Sequence, residues 1–222
     1  MKKKVIAVIL CLVCVFSLCS CGLFTKKYSF KAEDGSIYVH ADGQITAAII
    51  EDFDKDYYDL EELTGLAQQQ VLEYNRSRYG LEYYSYDQLT KEQKKEMLLP
   101  VSLESVEKKD GKVILVFRYA NGDAYTGFNG IDIQNSGGSK VYTAVVGETQ
   151  MPLEGSFVAA RGGEAQLTAE LAGKTEYHLI YVDYATKIYF EHDVSYVTNN
   201  VAVLTGNSVQ TASGQGSFIL YK

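Results

Sequence analysis

The chain has 222 residues, 46% of them apolar and 22% charged, with 19 glycines and only two prolines. That composition excludes a disordered or collagen-like chain, and the length leaves room for one or two domains. A net charge of −7 argues against nucleic acid as a partner, because phosphate binding needs a basic surface.

The chain begins with Met1, Lys2, Lys3 and Lys4, followed by 12 apolar residues from Val5 to Phe16. This is the build of a secretory signal. It is too short to span a bilayer, which takes about 20 residues. Leu18, Ser20 and Cys21 resemble the lipobox of bacterial lipoproteins, with Leu at −3, a small residue at −1 and Cys at +1. The resemblance implies a diacylglyceryl group on the Cys21 thiol and cleavage before it. Residues 1–20 then form the signal peptide, 21–27 a basic tether, and 28–222 a single α+β extracytoplasmic domain. All four cysteines stand at 11, 14, 19 and 21, so three leave with the signal, the fourth is lipidated, and the fold has no disulfide. Removal of residues 1–20 takes away three lysines and no acid, moving the charge from −7 to −10. Cys11 and Cys14 spell a redox C-x-x-C, but inside the signal core.

Beyond the tether, Tyr28–Lys31 and Ser36–His40 alternate apolar and polar residues around Asp34-Gly35, a hairpin signal. Gly43–Ile50 continues as a third strand, giving a meander. Asp59 with Glu62 marks a helix start, and Leu60, Leu63, Ala67, Val71 and Tyr74 recur at helical spacing to Tyr79, with Gly80 as the stop. A shorter helix is predicted over Lys91–Leu98, capped by Thr90 with Gln93 and closed before Pro100. Val101–Glu107 and Lys112–Tyr119 flank the turn Asp110-Gly111. A helical turn around Asp123–Asn129 opens a polar, glycine-rich stretch. Strands are predicted at Val141–Gly147, Gly155–Ala160, Glu164–Leu171, Val194–Val197, Val201–Leu204 and Ser217–Tyr221, with Tyr177–Asp183 and Lys187–Asp193 as a hairpin pair. The expected fold class is α+β: a mostly antiparallel sheet packed on one long helix, with a second, shorter helix.

No H-E-x-x-H, G-x-S-x-G or complete Walker motif occurs; Gly173-Lys174-Thr175 ends like one, but Thr168 stands where its first glycine belongs. Ser105 and Lys108 spell S-x-x-K without the companion motifs of that enzyme class. Asp52, Asp54 and Asp56 open like an EF-hand loop, yet Tyr57 takes the place of its glycine and Leu63 that of its bidentate Glu. His178 and His192 face each other if the hairpin turn centres on Ala185; a two-residue turn sets His178 opposite Asp193 instead. Either way the third ligand of a zinc site is missing. Tyr79, Tyr83, Tyr84 and Tyr86 crowd the end of the long helix, where rings serve either core packing or a binding surface. No cofactor is expected.

The order of features resembles a group of uncharacterised small lipoproteins of clostridial, Gram-positive bacteria. It is carried by Ile49-Ile50-Glu51-Asp52-Phe53, Tyr57-Tyr58-Asp59-Leu60, Glu73-Tyr74-Asn75, Val113–Tyr119, Ala124-Tyr125, Phe128-Asn129, Val194–Val197, Asn200-Val201 and Ser217–Tyr221. The resemblance implies a cell membrane location facing outward and transfers no catalytic residue. The expected function is a lipid-anchored, non-catalytic binding or interaction module at the cell surface, with an envelope protein or glycan as partner. An envelope-acting hydrolase using carboxylates and a small solute-binding lipoprotein are the alternatives.

Overall fold

The computed structural model describes residues 27–33, 35–129, 141–149, 152–162 and 168–222. The signal peptide, Cys21 and the tether up to residue 26 lie outside the described residues, as does Asp34.

Strands β1 (Ser36–Val39) and β2 (Ile45–Asp52) form an antiparallel hairpin in which Tyr38 faces Thr46. Its turn is closed by the His40 N–H to the Gln44 carbonyl at 2.9 Å. Tyr28–Lys31 is not a strand, so the expected meander is a two-stranded hairpin. Both edges of β1 are already taken, by β2 on one side and by β8 (Lys187–Phe190), in parallel, on the other. No edge is left for Tyr28–Lys31 to pair with. That segment instead crosses the outer side of the sheet, where the Tyr28 N–H donates to the Glu191 carbonyl at 2.8 Å and the Phe30 ring meets Tyr38 edge-on at 5.8 Å.

Helix α1 (Leu60–Tyr79) starts where Asp59 Oδ1 accepts the N–H groups of Glu61 and Glu62, at 2.8 and 3.2 Å. These are donors that the first turn cannot satisfy internally. It ends at Gly80, whose φ of 70° suits a residue without a Cβ. Ala67 and Val71 are buried, while Leu60, Leu63 and Tyr74 pack partly against the core. Asn75, fully buried, pins the helix to the sheet: its amide donates to the carbonyls of Tyr83 and Val101, both at 2.7 Å, and its oxygen accepts the Val101 N–H at 3.2 Å. Thr90 and Gln93 cap each other as expected, but the helix after them, α2, covers only Gln93–Glu96.

Strands β3 (Val101–Lys109) and β4 (Lys112–Tyr119) pair across Asp110 and Gly111, whose φ values of 52° and 72° make the primed turn that Asp-Gly favours. Helix α3 (Gly122–Phe128) follows. With β10 (Ala202–Thr205) and β11 (Ser208–Gln210), a seven-stranded sheet forms in the order β10-β11-β8-β1-β2-β4-β3. The remaining strands are β5 (Val141–Val145), β6 (Phe157–Ala159), β7 (His178–Val182), β9 (Val194–Thr198) and β12 (Ser217–Tyr221). They make a five-stranded antiparallel sheet, β5-β7-β12-β9-β6. Among the described residues, every strand pair apart from β1 with β8 is antiparallel. The architecture is α+β.

Two expectations are corrected here. Tyr177–Asp183 and Lys187–Asp193 are not a hairpin: β7 belongs to one sheet and β8 to the other. The chain crosses between sheets at Tyr184–Thr186, where the Thr186 N–H donates to Thr211 Oγ1 at 2.9 Å and the Thr186 hydroxyl to the Gly35 carbonyl at 2.9 Å. The part of the expected strand Glu164–Leu171 that is described is a helical turn, α4 (Thr168–Leu171). Its Leu171 plugs a small second core with Phe157, Leu179, Phe218 and Leu220 on the far face of the five-stranded sheet.

The main core lies between the sheets. Ile37, Val39, Ile45, Phe117 and Tyr119 on the inner face of the larger sheet meet Ile180, Val182, Val197, Ile219 and Tyr221 of the smaller one. Helix α1 covers the same inner face towards β3.

Candidate functional site: an acid-rimmed apolar groove

β2 outruns β1. Its inner-face series Ile45, Ala47, Ile49 continues past the five-stranded sheet, paired in register with Tyr119, Phe117 and Leu115 of β4. The first turns of α1 lie less deep than its middle, so the end of this face opens into a groove of about 400 Å³. Ile49, Val113 and Leu115 form its floor; Leu63 and Leu66 form the helix wall; Phe53, Tyr57 and Tyr58 form the loop wall. Exposure is the unusual feature: Ile49 is 38%, Tyr57 79%, Tyr58 41% and Leu66 57% accessible. Single exposed apolar residues are ordinary, whereas several lining one concavity mark an interaction site.

The loop wall is held in place. The Phe53 N–H donates to the Gly111 carbonyl at 2.7 Å, and its ring lies 5.0 Å from Tyr58, which meets Tyr57 edge-on at 4.9 Å. Lys108 Nζ sits 5.0 Å from the centre of the Phe53 ring. The proximity of Tyr57 holds the Tyr58 hydroxyl above its ordinary pKa. Among the described residues, the four charged ones lining the groove are acids: Glu51, Asp52, Asp59 and Glu62. Asp59 is occupied as the helix cap, and Asp52 bonds Lys112 Nζ at 2.8 Å across β2 and β4, a contact that lowers its pKa. Glu51 and Glu62 make no ion pair among the described residues.

A second concavity, polar and of about 630 Å³, lies on the outer face beside the Tyr28–Phe30 segment. Glu191 there pairs with Lys27 and accepts the Ala41 N–H at 2.8 Å. Burial alone would raise the Glu191 pKa, but Lys27 and the Ala41 N–H outweigh it, so the carboxyl stays below the ordinary value. His40 Nε2 is 2.8 Å from Thr46 Oγ1, and its Nδ1 is 3.8 Å from the same Glu191 oxygen, beyond hydrogen-bond range. Burial, aided by Arg118, holds the His40 pKa below 6.5 despite the opposing pull of Glu191. At neutral pH the site therefore holds an uncharged imidazole and an ionised carboxylate. Arg118 is steadied by a relay, its Nε donating to Gln44 Oε1 at 2.8 Å while Gln44 donates to Asp42.

The residues singled out from sequence fare differently. Asp52 lines the groove, Asp54 pairs with Lys55 at 3.0 Å, and Asp56 is exposed in the turn; the three are spread along a strand end and a loop. His178 and His192 do not face each other. His178 stacks on Tyr221 at 5.5 Å in the smaller sheet, and His192 follows β8 of the larger one. The separation of β7 from β8 removes the hairpin on which that pairing depended. Tyr83 accepts from Gln93 Nε2, Tyr86 accepts the Leu99 N–H at 2.9 Å, and Tyr84 packs on the core, so these rings knit a loop together. Tyr79 alone of the four is exposed, at 49%. The exposed aromatic pair is Tyr57 and Tyr58. The signal of the groove in the sequence was Leu66, an apolar residue beside the Leu63–Ala67 stripe and not on it. Cys21 lies outside the described residues.

Comparison of the chain with models of known protein families, with curated proteins and with solved structures finds no match.

Proposed function

We propose that the protein is a lipid-anchored extracytoplasmic module, held to the cell membrane through Cys21, that binds a partner in the acid-rimmed groove and does not itself catalyse a reaction. The observation that carries the binding reading is the convergence of exposed Ile49, Tyr57, Tyr58 and Leu66 on one concavity. Keeping such surface in water is unfavourable, at about 25 cal/mol per Å², and a partner that covers it recovers that free energy. The anchor reading rests on the signal-like run and the lipobox spacing. Two acyl chains hold a protein stably where one does not, since each buried CH₂ contributes about 0.8 kcal/mol. Anchoring raises the effective concentration towards neighbouring envelope molecules, so a modest groove suffices. Among the described residues no helix is long and apolar enough to cross a membrane.

The test has two arms. Cys21→Ser is expected to be shed or left unprocessed, whereas normal maturation and retention of that variant would refute the anchor. Leu66→Asp is expected to remain anchored and folded but to lose groove binding.

A hydrolase reading has one observation in its favour, the His40–Glu191 pair in the polar cleft. The hydroxyl beside that imidazole belongs to Thr46, only 6% exposed, and Lys27 already occupies the carboxylate. This arrangement suits a structural network better than a nucleophile. Turnover of an envelope ester, peptide or glycan by the purified protein, lost in His40→Ala, would establish the hydrolase instead. Two sheets sharing one core are also unlike the paired α/β lobes expected of a solute-binding lipoprotein.

A further inference from the structure

We infer that the groove takes a basic, amphipathic peptide segment of a partner protein, seated with its apolar face on Ile49, Leu66 and Tyr58 and its cationic side chains on Glu51 and Glu62. This rests on the groove being the docking site proposed above and names what fills it.

The argument is one of charge complementarity around an apolar floor. Among the described residues, every charged side chain lining the groove is acidic. Asp59 and Glu62 stand at a helix start, where the helix dipole accounts for acids. Glu51 does not: it lies on β2, opposite Val113, on the inner face that otherwise carries Ile45, Ala47 and Ile49. An acid that continues a core-facing series, with no ion pair among the described residues, sits where a cation from outside would meet it. Nearby cations are already engaged, Lys112 by Asp52, Lys55 by Asp54 and Lys108 by the face of Phe53. The surrounding stretch from Glu51 to Glu62 carries seven acids against one lysine. An acidic or neutral partner would leave Glu51 and Glu62 partly desolvated without compensation, which costs affinity. A partner with an apolar and a basic face matches both halves of the site, the helix-in-groove mode of recognition.

The chain contains no tryptophan, so a peptide bearing one reports its own burial. Purified full-length protein would be titrated with a helical Leu/Lys peptide carrying a single Trp, and with counterparts having Gln or Glu in place of Lys. The expected result is a blue-shifted Trp emission and binding of the Lys peptide about tenfold tighter than the Gln peptide, since a few rim ion pairs sum to that factor. The advantage should shrink with salt and vanish in Glu51→Gln/Glu62→Gln. Leu66→Asp should weaken binding of all three peptides. Equal binding of Lys and Gln peptides would overturn the basic partner while leaving the groove reading intact. No binding of any peptide, together with no binding of an apolar dye, would overturn both. Lys-peptide binding unchanged by Leu66→Asp would place it elsewhere on the acidic surface and also refute the inference. A dimer, or adsorption to neutral lipid vesicles, that Leu66→Asp abolishes would assign the groove to a second copy or to lipid instead.

Discussion

Tyr221 ends β12 with its hydroxyl buried and without a hydrogen-bond partner among the described residues. Burial also drives its pKa upward. A buried hydroxyl that finds no partner incurs its full desolvation cost. Tyr221→Phe, which keeps the ring on Phe190 and His178, is therefore expected to leave stability unchanged or raise it by about 1 kcal/mol, read from urea unfolding. A clear loss would mean that the hydroxyl is satisfied in solution. Asn75 is the opposite case, because its side chain satisfies three backbone groups at once. Asn75→Ala leaves the Val101 N–H and two carbonyls unpaired and is expected to cost about 2–4 kcal/mol; a cost below 1 kcal/mol would show water replacing the amide. Neither role was legible in the sequence. Nothing near Asn75 in the sequence announces Val101 as its partner. Asp59 was legible, because a cap acts within three residues. His40 went unread because Glu191 reaches it only through the tertiary fold.

At the scale of elements, locally determined features follow the sequence and long-range pairings do not. The turn at Asp110-Gly111, the start and stop of α1, and the Thr90–Gln93 cap are all fixed by residues within a few positions of each other. The partners of β8 are β1, about 150 residues earlier, and β11, and periodicity alone could not name them. The alternation of β7 and β8 fitted a hairpin equally well. The Tyr28–Phe30 segment is tied to the larger sheet through Glu191, through the Tyr38 hydroxyl, which donates to the Tyr28 carbonyl, and through the Tyr28 hydroxyl, which donates to Asp193 Oδ1 at 3.2 Å. Stability around this segment depends on protonation. Because the folded His40 pKa lies below 6.5, the unfolded chain takes up that proton more readily, so this contribution is complete above about pH 6.5 and is lost as pH falls below it. Glu191 and Glu33, both held below 4.5, add stability above that value and lose it on further acidification. Stability read from urea unfolding is accordingly expected to fall in two stages between pH 7 and pH 3. A stability that does not change over that range would contradict the assignment.

At the scale of the whole molecule, a core built without disulfides depends on its aromatic residues. Burial lifts Tyr38 and Tyr74 to about 12, and it drives Tyr119 and Tyr184 upward as well. Stability from these neutral phenols is full below their unfolded value of 10 and is lost as pH rises through it towards the folded values. A spectrophotometric titration should show the exposed tyrosines ionising first and the buried ones only with cooperative unfolding; a single unperturbed titration of all 18 would contradict the packing. The same sheet that buries these rings leaves its far end uncovered, and the central claim is that this end binds. The most direct measurement is titration of the full-length protein with an environment-sensitive apolar dye, comparing Leu66→Asp in the groove with Leu98→Asp, at a leucine 52% exposed outside it. Saturable 1:1 binding that Leu66→Asp removes and Leu98→Asp preserves, with circular dichroism unchanged in both, is the predicted result. Equal binding by the two variants, or none by the parent protein, would contradict it.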